Sequence, residues 1–269
     1  MGILKKRTPW EREFREVWKQ EQKFLRQHEE EKTSLLENAV EGIVPEKLIR
    51  TLHRAFEKAF VLVFEKGTGV ILRVSRQSVR RQERQVREYA LSLRENRKTL
   101  RAFSKAADRA GRGNVLLSGA AGVGMGFFGV ALPDVPLFTA MLLKSIYETA
   151  ESFGFPCEGD QERIYALRVM ETALSDGEEL RWRNQALDAY VQTGIWQHPV
   201  TLEEQTRATA GRLSEAVLYG KALQGIPVVG AIGGAGDAAC LSRVQRYAAL
   251  KYRKRFLMSR RMNQALKPL

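Results

Sequence analysis

The fold is decided by QSVRRQERQVREYALSLRENRKTL, residues 77 to 100. Val79, Val86, Leu93 and Leu100 recur every seven residues, so they share one face of a long helix. Arg73, Arg76, Arg80, Arg84, Arg87 and Arg94 fall in a separate narrow arc at about 100° per residue and make a basic stripe. That stripe is either a solvated face partly neutralised by Glu83, Glu88 and Glu95, or a surface for an anionic partner.

On the N-terminal side, Trp10 to about Ala39 is dense in charge with spaced apolar residues (Phe14, Val17, Trp18, Phe24, Leu25), the pattern of a surface amphipathic helix. Pro45 marks a fresh start. Leu48, Leu52, Ala55, Phe56, Ala59, Leu62 and Val63 then keep helical spacing up to Gly67 and Gly69, where the helix should stop. Met1 to Gln20 mixes Lys5, Lys6 and Arg7 with Glu11, Glu13 and Glu16 and has no signal-type apolar segment, so the protein is expected to stay where it is made.

On the C-terminal side, Val115 to Leu132 holds no charge but carries Gly119, Gly122, Gly124, Gly126 and Gly129. Pro133, Asp134 and Pro136 interrupt it, and a helix is expected from about Val135 to Phe153 with Asp134 as its N-cap. Further helices fit Gln161 to Leu174 and Glu178 to Thr193, and Thr201 with Glu204 has the spacing of a capping box. A second glycine-rich turn, Gly225 to Gly236 with Pro227, leads into a basic final helix. Strand-like alternation is absent, so the expected fold is all-α: a multi-helix bundle with two glycine-rich apolar turns connecting helices.

Two motifs carry a family resemblance. Leu132, Pro133, Asp134, Val135 and Pro136, followed by Ser145 to Glu148 and Ser152 to Gly154, form one; Ile226 to Gly230, Gly234, Asp237, Tyr247, Ala248, Arg253 and Arg255 to Leu257 form the other. Together they resemble the EcsC family over roughly residues 70 to 260. The resemblance implies a cytoplasmic helical protein, in a family named for a member encoded beside an ABC transporter, and it names no reaction. The chain divides accordingly into N-terminal amphipathic helices (1–66), an EcsC-like helical domain (67–262) and a tail (263–269).

Candidate chemistry is sparse. Gly122 with Gly126, and Gly230 with Gly234, have the spacing that lets helices cross with backbones in contact, and with Pro133, Pro136 and Pro227 they are read as structural turns. Those turns either pack in a core or dip into a membrane. His28, His53 and His198 are scattered and the glycine runs match no nucleotide-binding loop, so neither a metal nor a cofactor is expected. Cys157 and Cys240 read as reduced core thiols. The only catalytic reading is a hydrolase whose carboxylates Asp134, Glu148 and Asp237 converge at the glycine turns; its alternative has both aspartates capping helices and Glu148 paired with Lys144.

The formal charge of +13, from 44 Lys plus Arg against 31 Asp plus Glu, points to a phosphate-bearing partner. The last helix adds Arg243, Arg246, Arg253, Lys254, Arg260 and Arg261, with no acid from Leu241 to Leu269. The expectation is therefore a non-catalytic accessory at the cytoplasmic membrane face, binding anionic lipid or a membrane complex, which the family resemblance implies is transporter-associated. Nonspecific nucleic-acid binding is the remaining alternative, and sequence-specific recognition ranks lower because no DNA- or RNA-reading motif is present.

Overall fold

A computed structural model describes residues 7–29, 46–67, 77–110, 134–223 and 235–265. Those residues form α1 (Pro9–Gln27), α2 (Glu46–Leu62, prolonged by a π-turn over Val63–Gly67), α3 (Gln77–Leu93), α4 (97–110), α5 (Asp134–Phe153), α6 (Asp160–Leu174), α7 (Gly177–Thr193), α8 (Leu202–Leu223) and α9 (Ala235–Ala265). No strand occurs among them, and the architecture is an all-α helical bundle.

Local chemistry sets several helix ends. Thr8 opens α1 through a capping box: its hydroxyl accepts from the Glu11 N–H at 3.2 Å, and the Glu11 carboxylate accepts from the Thr8 N–H at 2.8 Å. Thr201 and Glu204 form the expected second box ahead of α8, at 2.8 and 3.2 Å. Gly194 ends α7 in the left-handed region (φ 71°), donating its N–H to the Tyr190 carbonyl at 2.7 Å.

α6 is the hub. Ile164 to Leu167 and Val169 to Leu174 are all buried, and a helix covered on every side needs helices all around it. α7, α8 and α9 supply them, while α9 also packs on α5, α1 lies along α9, α2 fits against α8 and α5, and α3 runs beside α5. At the α2–α8 crossing, a Cβ on Gly211 would meet the His53 ring at 3.4 Å, so the small residue permits the close approach. Phe56, Phe60, Leu142, Ile146, Tyr165 and Tyr252 sit in one continuous core.

Two sequence expectations are corrected. The helix through Val79, Val86, Leu93 and Leu100 is not continuous, because residues 94–96 break it. Asn96 is the cause: its side-chain oxygen accepts from the Lys98 and Thr99 N–H groups at 2.8 and 3.0 Å, the arrangement of a helix N-cap. Along α3 the shared apolar face is also not a core face, since Val79, Val86 and Leu93 are exposed while Leu91, off that face, is buried; of the four repeat residues Leu100, in α4, is buried.

Apart from Ala235 and Gly236, which open α9, both glycine-rich runs, with Gly122, Gly126, Pro133, Pro227, Gly230 and Gly234, lie outside the described residues, as do Arg73 and Arg76. Pro136 falls in the first turn of α5, where a missing N–H costs no helical bond. No described helix is long and apolar enough to cross a membrane. Cys157 and Cys240 are both free thiols, the first buried.

Candidate functional site

α9 contains cations and almost no acid, so any cation it turns toward the bundle must recruit a carboxylate from another helix. Four of the expected surface residues do so. Arg243 pairs with Asp176 at 2.9 Å, Arg253 with Glu13 at 2.5 Å, Lys254 with Glu21 and Asp188 at 2.6 and 2.8 Å, and Arg260 with Glu95 at 3.2 Å. Lys254 is buried, so it is not the surface contact its spacing suggested. Arg246 and Arg261 remain exposed, the first near the Gln27 amide and the second over the Trp10 ring at 4.8 Å.

Lys251, fully buried, completes a closed tetrad: Lys251 and Lys254 each contact both Glu21 and Asp188, with all four distances between 2.6 and 2.8 Å. Two positive and two negative charges thus balance inside the α1–α7–α9 junction. Burial by itself would lower the Lys254 pKa, but the charges of Glu21 and Asp188 outweigh it and hold the ammonium above its ordinary value.

The arginine stripe of α3 also faces inward. Arg80 reaches Glu148 of α5 at 2.9 Å, and Glu148 is simultaneously paired with Lys144 at 3.0 Å, the i, i+4 contact expected for it. Arg81 and Arg84 lie 3.5 and 3.9 Å from the buried Glu151, a meeting of charges without a hydrogen bond. Arg87 pairs with Glu83 at 3.5 Å and lies over the Phe103 ring. The side chains of Asp134 and Asp237 lie outside the described residues, so of the three carboxylates of the hydrolase reading only Glu148 is placed, held between two cations.

The outward charge sits instead on α1. Its inner row is Glu13, Val17, Glu21 and Phe24, all buried. Two acids are thereby turned toward α9, and five cations are left outside: Arg12, Arg15, Lys19, Lys23 and Arg26 are exposed, and none has an ion-pair partner among the described residues. At about 100° per residue they span an arc of about 80°. Neighbours along the row are like charges three or four apart, each destabilising the helix by about 0.2 to 0.5 kcal/mol. Exposed Trp18 flanks the row. α2 carries a shorter row of Lys47, Arg50, Arg54 and Lys58, in which Glu46 engages Arg50 at 2.5 Å.

α4 extends the basic surface beside α1. Arg97 and Arg101 reach across to Glu13 at 2.6 and 3.0 Å, while Lys98, Lys105 and Arg109 are exposed. Burial alone would raise the Glu13 pKa; hydrogen bonds and charge from Arg97, Arg253 and Arg101 outweigh it and hold the carboxyl below its ordinary value. Sequence reading missed α1 as a charged surface because net charge along it is nearly balanced. The available signal was positional: two glutamates share the face of Val17 and Phe24.

The profile of the EcsC protein family matches residues 11–257, taking in α1 and α2 as well as the part where the two motifs lie. Neither the curated proteins nor the solved structures yield a significant match to the chain.

Proposed function

The chain belongs to the EcsC family, and on that footing we propose that it is a non-catalytic accessory of the cytoplasmic membrane face, held to anionic lipid by the outer row of α1. The observation that carries this reading is the set of five exposed α1 cations without acid partners among the described residues. Like charges aligned on one helix weaken it, and a negatively charged plane is a counter-surface that removes the penalty. Trp18 beside the row suits the headgroup region, where an amphipathic ring rests at the boundary. Each basic residue brought to such a surface contributes on the order of 1 kcal/mol, so three engaged side chains shift partitioning by roughly a hundredfold.

The test is co-sedimentation with vesicles. Phosphatidylglycerol vesicles should carry the protein down at low salt and release most of it near 0.5 M, where the Debye length is below about 5 Å. Phosphatidylcholine vesicles should bind little. A protein that ignores phosphatidylglycerol at low salt but binds duplex DNA with a steep salt slope would instead be a nucleic-acid binder.

A further inference from the structure

We propose that the half-open cleft lined by α1, α4 and α9, with Phe153 of α5 in its floor, is a binding site for a phosphomonoester group. The cavity measures about 350 Å3, within the range of about 300 to 1,000 Å3 typical of small-ligand sites. Gln20 and Lys23 from α1, Ser104 and Asp108 from α4, and Arg246 and Arg253 from α9 supply its polar wall. Phe24 and Phe153 form part of its apolar lining.

Charge selects the ligand. Arg253 leans on Glu13 at 2.5 Å, but that one buried carboxylate is also the partner of Arg97 and Arg101, so three guanidiniums share it. Lys23 and Arg246 add two more cations, and among the described residues Asp108 is the single acid on the cavity wall. Three cations on the cavity wall, Lys23, Arg246 and Arg253, therefore stand against Asp108, and the Glu13 charge beside Arg253 is divided with Arg97 and Arg101, an excess that a dianion balances better than a monoanion. Guanidinium, ammonium, hydroxyl and amide N–H donors converging from three helices match the oxygens of a phosphate.

This site deepens the proposed membrane function and rests on it for the placing of a phosphate-bearing surface against α1. A lipid headgroup such as that of phosphatidic acid and a free phosphate compound share the required chemistry, and the experiment separates them. Full-length protein is titrated calorimetrically with inorganic phosphate and with glycerol 3-phosphate at constant ionic strength. In parallel it is sedimented with vesicles of phosphatidic acid or phosphatidylglycerol at matched surface charge.

Saturable binding of the soluble phosphates, weakened at least tenfold by R246Q or K23Q, supports a site for a free ligand. A preference for phosphatidic acid over phosphatidylglycerol that either variant abolishes supports a headgroup site. Arg246 and Lys23 are both exposed, so neither substitution threatens the fold. R12Q/R15Q/K19Q/R26Q should leave the soluble titration unchanged. If there is no saturable phosphate binding and no headgroup preference, or if both cavity variants bind as the wild type does, the site is refuted. Membrane docking by α1 would still stand provided phosphatidylglycerol vesicles sediment the protein; if they do not, that reading fails on its own.

Discussion

Single residues carry most of the charge economy of this bundle. Lys251 lies among Glu21, Asp188 and the Asn184 carbonyl with its side chain 1% exposed, so removing it leaves the buried Glu21 and the partly buried Asp188 with half their compensation. K251A should lose about 3 to 5 kcal/mol in urea unfolding, the cost of breaking a buried pair; a loss under about 1 kcal/mol is what an exposed pair would give. Glu13 sets the acid limb of stability. Its folded pKa lies below the ordinary 4.5, so as pH falls past that value the unfolded chain takes up the proton first and the stabilisation drains away. E13Q should flatten that part of the stability profile while lowering the plateau above it. Lys254 acts at the other limb: its pKa is raised from 10.5, so its contribution is complete below that value and is lost as pH climbs through the folded pKa. A profile falling on neither side would contradict both assignments.

At the level of elements, the inversion of α3 is the main departure from a plain amphipathic helix. Its arginines meet Glu148 and Glu151 of α5, while Val79, Val86, Tyr89 and Leu93 point outward. L91A should therefore cost about 2 to 5 kcal/mol, as a buried leucine does, and L93A should stay within about 0.5 kcal/mol. Equal losses would restore the continuous apolar seam that the seven-residue repeat suggested. Helix positions, the Thr201–Glu204 box and the Lys144–Glu148 contact were legible in sequence because each depends on residues within one or two turns. The direction in which the Arg80–Arg84 face points was not, since periodicity shows which side chains share a face and not what lies opposite. The break before Asn96 was overridden by the repeat, although an asparagine three residues before Thr99 is a recognisable capping signal.

Across the whole molecule, a formal charge of +13 is partitioned. The helices richest in cations at first sight, α3 and α9, turn many of them into ion pairs with α1, α5 and α7, and among the described residues the residual positive surface emerges on α1 and α4, with a shorter row on α2. No reading of one helix at a time reveals that exchange, because it is fixed by which helix packs on which. Its most direct test compares two variants on phosphatidylglycerol vesicles at low salt: R12Q/R15Q/K19Q/R26Q on α1 and K47Q/R50Q/R54Q/K58Q on α2. Both remove the same charge from exposed rows of similar spacing, but only the first row adjoins α4 and Trp18. The α1 variant should lose most vesicle binding while the α2 variant keeps it; equal losses would mean that net charge alone governs binding, and full retention by the α1 variant would contradict the account outright.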